Sequence, residues 1–260
     1  MKKLKIIQPE CYRNYSLSAG ITTRNGGIST GGYKSWNFGF NSGDDPENVI
    51  KNRELLYSHL NGSPEHFVYA NQVHSDRIAV ITQKERGIGA FSRDNALDGI
   101  DAMITQEKDI FLTIQTADCM SIFVFCPVSM SIGLVHAGWK GTELNVIGKT
   151  IEKMQEYYLA QPEKMIVYFG PSICRDCYEV GEEFQNIFRK DELGFKEGKI
   201  YLDLLRANKR NCQQQGILEK NFFSDNFCTF RDRENFFSYR RDGAKTGRMI
   251  SFFAIQSFFH

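Results

Sequence analysis

Between Thr116 and Gly141 the sequence gathers a carboxylate, a thiol, an imidazole and an ammonium: Asp118, Cys119, His136 and Lys140. Met120 to Phe125 and Ser131 to Val135 are apolar runs of strand length, and the short break between them predicts an antiparallel hairpin. A turn centred between Pro127 and Val128 sets Cys119 directly opposite His136, where Cβ atoms stand about 4.5–5.5 Å apart. A thiol and an imidazole at that separation can share one metal ion or exchange a proton. Gly138 to Gly141 then opens a long amphipathic helix running to about Leu159, with Leu144, Ile147, Ile151 and Met154 at helical spacing. The free N–H groups at its start, together with Lys140, suit a phosphate or carboxylate next to His136.

His74 lies at a bend between two strand candidates, 67–74 and 77–81. If the fold brings it in, two imidazoles and one thiolate make a zinc set that leaves the fourth tetrahedral position to water, whose pKa falls toward about 7. The same atoms allow a different enzyme, a Cys–His hydrolase with Cys119 as nucleophile, His136 or His74 as base, and Asp118 orienting an imidazole or shaping the pocket. They also allow a buried cysteine beside an inert histidine, or a metal-stabilised interaction module without catalysis. Five histidines, His59, His66, His74, His136 and His260, are too few for a four-copper oxidase. Cys174-Arg-Asp-Cys177 is a single CxxC without a second pair at zinc-ribbon spacing. Arg24, at the end of strand candidate 18–23 and ahead of a glycine-rich loop, is a candidate anion partner, as are Arg240 and Arg241 at a strand's end.

The elements that must position these groups read as mixed. Asp45 as N-cap, Pro46 at the first helical position and Gly62 past the end bound one helix. Residues 180–190 and 202–215 are further helix candidates, and 101–105, 110–116, 164–170 and 250–255 read as strands. With 260 residues and no internal repeat, one compact unit spanning 1–260 is expected, built of α/β or α+β layers. A net charge of +1 offers no global attraction to nucleic acid or to an anionic membrane. No apolar run approaches the roughly 18 residues of a membrane span. Seven scattered cysteines and an N-terminus, Met1 to Lys5, without a signal core predict reduced thiols in the cytoplasm.

Ordered motifs extend from about Ala19 to Ile255. They include Thr23-Arg24-Asn-Gly-Gly-Ile-Ser, Trp36-Asn-Phe-Gly, Asn71-Gln-Val-His74, Thr116-Ala-Asp-Cys119, His136-Ala-Gly-Trp-Lys-Gly141, Cys177-Tyr-Glu-Val-Gly181 and Ser238-Tyr-Arg-Arg-Asp-Gly. On these the chain resembles the YfiH or polyphenol oxidase (laccase-domain) family of purine nucleoside phosphorylases. The resemblance implies a single-domain α/β/β/α layered sandwich with mixed sheets, and zinc held by His74, Cys119 and His136 as the catalytic centre. It implies phosphorolysis of adenosine, inosine, guanosine and methylthioadenosine, plus adenosine deamination; members are also described as copper-dependent laccases. On that reading purine nucleosides and phosphate are the partners, with phosphate held by Lys140 and helped by Arg24 or the Arg240/Arg241 pair. Lys140 stands where the family commonly has arginine, keeping the charge without the bidentate fork.

Overall fold

The computed structural model describes residues 4–257. Met1 to Lys3, read above as part of the N-terminal segment, and His260 lie outside the described residues. The fold is mixed α/β, built on two main sheets. The first runs Ile6–Ile7, Leu17–Thr22, Met249–Ile255, Phe111–Thr116, Phe67–Val68, antiparallel except for the last pair. The second runs Phe222–Ser224, Ile166–Phe169, Met120–Cys126, Ser131–Ala137, Ala102–Thr105, Ile78–Val80, parallel only at its two edges.

Strand periodicity sorts the side chains into layers. Phe123, Phe125, Ile132 and Leu134 of the second sheet meet Ile21, Leu112, Ile114 and Phe253 of the first. Each is almost wholly buried, worth about 1.5–3 kcal/mol apiece. The alternate residues Ile122, Val124 and Val135 pack outward against Ile147, Ile151 and Met154 of helix Val146–Tyr158 and Ala207 and Cys212 of helix Leu204–Gln214. On the far side Phe111, Ile250 and Phe252 of the first sheet cover Leu56 and Tyr57 of helix Pro46–His59. Helix, sheet, sheet, helix is the layering expected from the sequence.

The helix boundaries differ from the expectation in three places. The helix opened by Gly138 stops at Glu143; Asn145 sits in the left-handed region and its side chain accepts from the Gly148 N–H, starting a second helix at Val146. Asn tolerates that conformation and caps well, so the chain turns where hydrophobic spacing alone reads straight through. Residues 180–190 form strand Glu179–Val180 and a 3₁₀ turn Glu182–Asn186, since only Phe184 and Phe188 there are buried. Arg240 and Arg241 lie on a short helix, Tyr239–Asp242, whose N-cap Ser238 accepts from the Arg241 N–H. Among the described residues no helix is long and apolar enough to cross a membrane.

Candidate metal centre

Thr116 ends a strand of the first sheet and Met120 begins one of the second, so Ala117-Asp118-Cys119 is the corner where the chain passes between sheets. Asp118 makes that corner with φ 96°. The hairpin beyond it pairs Ser131 with Cys126 and His136 with Ser121. Its centre therefore lies between Val128 and Ser129, one residue later than expected, with Met130 at φ 47° absorbing the turn. Continued past Met120, this register sets Cys119 across from Gly138 rather than His136. A shift of two pairing positions preserves the face, so Cys119 and His136 still stand on one side, diagonally placed.

Gly138 now has a reason. A Cβ there would lie 2.8 Å from Cys119 Sγ and 2.9 Å from His74 Nδ1. Its φ of −82° suits any residue, so the requirement is space. Gly138→Ala is expected to wedge these two groups apart at an overpacking cost of about 1–3 kcal/mol, weakening metal binding at least tenfold in a chelator competition while far-ultraviolet circular dichroism stays unchanged.

Asp101 holds the imidazoles. Its Oδ1 accepts from the His74 backbone N–H at 3.0 Å and contacts His136 Nδ1 at 2.8 Å; its Oδ2 accepts from the Val73 N–H, the Ser75 N–H and the Ser75 hydroxyl at 3.1, 2.7 and 2.8 Å. These bonds hold the 73–75 turn, in which His74 sits at φ 61°. With Nδ1 donating to the carboxylate, His136 keeps Nε2 as its free lone pair. The two rings stand 4.8 Å apart between centroids. One ligand atom from each of His74, Cys119 and His136 lies within 4.8 Å of the other two. Nitrogen and sulfur donors on a tetrahedral zinc stand about 3.5 Å apart, so this soft donor set fits a zinc-class ion with a small contraction.

The electrostatics agree. Burial pushes the Cys119 thiol up, but the His136 charge and hydrogen bonds from both histidines outweigh it and bring the thiol down to about 6. Burial likewise opposes a charged His136, and the Cys119 thiolate with Asp101 lifts it to about 9, so without an ion Nε2 carries the proton that metal binding displaces. Burial also works against the Asp101 carboxylate, yet the bond to His136 and the Ser75 contacts hold it below its ordinary value. Cys119 is thus set up as a thiolate, the form that binds metals.

The group opens into a cavity of about 420 Å³ walled by Tyr69, Trp139, Tyr178 and Tyr239. Of the four cations singled out in the sequence, only Arg240 lines it. Its guanidinium lies 5.1 Å over the Tyr178 ring and donates to the Glu179 carbonyl at 2.6 Å, while its backbone N–H donates to Asp118 at 2.7 Å. Arg24 instead donates to the Lys34 and Arg233 carbonyls. Arg241, its side chain buried, bonds the Thr229, Phe230 and Phe236 carbonyls and the Asp242 carboxylate. Lys140 is exposed, 5.4 Å over the Trp139 ring, on a helix of only five residues.

Two residues of the site had no assigned role in the sequence reading. Asp101 was legible as a carboxylate leading a buried strand, a charge that must find partners. Arg53, 2% exposed on its helix between the Tyr69 and Phe40 rings, also lines the cavity; the Asn52-Arg53 pair is among the motifs that carry the family resemblance, without a role attached. Asp118 does not orient an imidazole; it accepts from Thr229, Ser238 and the Arg240 N–H.

Fold and site together define a two-sheet α/β protein with a Cys–His candidate metal centre at the wall of an aromatic cavity. The family model described as multi-copper polyphenol oxidoreductase laccase matches residues 18–256, and the chain belongs to that family. The purine nucleoside phosphorylase YlmD of Bacillus subtilis is 33% identical over 250 residues, covering 94% of this chain and 90% of that protein. An adenosine deaminase, RL5, from an unknown prokaryotic organism is 31% identical over 243 residues, covering 90% and 92%. The crystal structure of the Bacillus licheniformis hypothetical protein YfiH superposes with a TM-score of 0.93 at 32% identity, covering 96% of each chain. The YfiH resemblance read from the motifs and the fold it implied are both confirmed.

Proposed function

We propose that this chain is a cytoplasmic, single-domain, zinc-dependent purine nucleoside phosphorylase acting on adenosine, inosine, guanosine and methylthioadenosine. The observation that carries the reading is the convergence of His74, Cys119 and His136 on a cavity of nucleoside size that also presents Arg240. The name of the B. subtilis relative supports the same activity.

In phosphorolysis a phosphate oxygen bonds to the ribose C1′ as the C1′–N9 bond breaks, giving ribose 1-phosphate and free base. His74, Cys119 and His136 hold the zinc, which when bound supplies Lewis-acid polarisation of a substrate oxygen. Asp101 fixes the tautomer and aim of His136 and the turn that carries His74. The Tyr69, Trp139, Tyr178 and Tyr239 rings offer apolar faces for a purine. Arg240, pinned through Glu179 and through Asp118, is the cation that meets phosphate, in place of Lys140, Arg24 and Arg241, whose positions lie off the cavity. Arg240→Ala is expected to raise the KM for phosphate about tenfold or more, the worth of one hydrogen bond to a charged group. Lys140→Ala should leave that constant within about twofold, as a solvated charge would. Steady-state phosphate titrations compare the two.

Hydrolytic deamination of adenosine in the same cavity is the second activity, favoured by the name of the RL5 relative. Incubating the purified protein with adenosine, with and without phosphate, and separating the products tests both. Adenine and ribose 1-phosphate with phosphate, and inosine without it, are the expected products; recovery of unchanged adenosine overturns the reading. Two imidazoles and one thiolate suit zinc, and the family description names copper. Stoichiometric copper in the active protein would overturn the zinc assignment in favour of a laccase-like oxidase.

A further inference from the structure

A second group of soft ligands lies outside the cavity. Cys174 precedes and Cys177 ends the 3₁₀ turn Arg175–Cys177, closed by the Cys177 and Tyr178 N–H groups donating to the Cys174 carbonyl at 3.0 and 3.1 Å. Cys228 comes from a distant segment, held alongside by a bridge to Ser172 and by the Thr229 N–H donating to the Ser172 carbonyl at 3.0 Å. The three sulfurs lie within 4.8 Å of one another, and all three thiols are free.

From this geometry we infer that Cys174, Cys177 and Cys228 form a second, thiolate metal site that takes a zinc-class divalent ion. Sulfurs on a tetrahedral zinc stand about 3.8 Å apart, so a modest contraction closes the group. The surroundings favour metal over a disulfide. A disulfide between any two would leave the third thiol beside it without a role, whereas an ion uses all three. The Cys174 N–H donates to Cys228 Sγ at 3.3 Å. Backbone donors aimed at sulfur are what a metal thiolate needs around it. Three thiolates on a divalent ion leave one negative charge, and Arg231, paired with Asp176 at 2.9 Å, is the neighbouring cation. Cys174 also lines a cavity of about 200 Å³ with Ser172 and Arg175, which gives an ion and a solvent ligand access. The ion would tie the segment that carries Ile173 and Tyr178, both at the nucleoside cavity, to the Cys228 segment.

The test counts zinc by elemental analysis in the full chain, prepared reduced with added zinc and freed of loose metal. About two ions per chain are expected in the wild type, and about one in each of Cys174→Ala, Cys228→Ala and His74→Ala. Retention of the wild-type count by Cys174→Ala overturns the inference and leaves the first site untouched. A second readout covers a variant that folds poorly. Cobalt added to Cys119→Ser, which lacks the thiolate of the first site, should still give thiolate-to-cobalt charge-transfer absorbance, abolished by adding Cys174→Ala. Absence of that absorbance, or a disulfide within the trio in the protein as isolated, also overturns it.

Discussion

His74→Ala is expected to strip the cavity site of its metal and to lower kcat/KM for nucleoside phosphorolysis on the order of a thousandfold or more. Lewis-acid stabilisation by a bound ion is worth several kcal/mol, and each 1.4 kcal/mol is about tenfold in rate. Cys119 and His136 alone offer two donors, too few to hold zinc at neutral pH against solvent. His74 suits this test because it is exposed, on a turn rather than in a core. Removing its ring creates no cavity, and the turn keeps its shape through backbone N–H bonds to Asp101 that an alanine retains. A stability change within about 0.5 kcal/mol is therefore expected, which separates loss of function from loss of fold. Zinc content by elemental analysis, phosphorolysis rates and thermal melting in excess chelator are measured on the same preparation. A variant that keeps its zinc at the cavity, or turns over within twofold of wild type, removes His74 from the site.

His74 also marks how far the sequence could be read. Cys119 and His136 were joined by strand periodicity, which survives an error of one residue in the turn because the resulting register shift of two keeps the face. The same periodicity could not place the turn's centre, since Met130 supplies the left-handed conformation where the sequence draws attention to Pro127. His74 joins the pair through Asp101, a contact made by side-chain direction and not by spacing. The cations could not be sorted by sequence for a related reason. A charged residue at an element's end reads alike whether its side chain lines the cavity, as in Arg240, or bonds carbonyls away from it, as in Arg24 and Arg241. Only the packed neighbours decide that. The layering, by contrast, follows from alternation along each buried strand, so the two sheets and their flanking helices were legible before the register was.

Asp101→Ala is the substitution expected to damage stability and site together. The carboxylate is fully buried and meets five donors: three backbone N–H groups, the Ser75 hydroxyl and His136. Its removal leaves these without a partner and strands His136 in the interior, at about 3–5 kcal/mol, or on the order of 10 °C in melting temperature for a chain of this size. Asp101→Asn isolates the metal-binding part. Because Oδ2 meets three donors, the amide oxygen must take that position, which turns the NH₂ group toward His136 Nδ1 and the His74 N–H. Nδ1 must then accept, the proton moves to Nε2, and the lone pair that faced the metal is lost. Zinc affinity measured by chelator competition should fall about 10- to 100-fold, with a smaller loss in chelator-treated melting temperature than in Asp101→Ala. Wild-type zinc affinity in Asp101→Asn would show that His136 does not ligate through the nitrogen this hydrogen bond sets free.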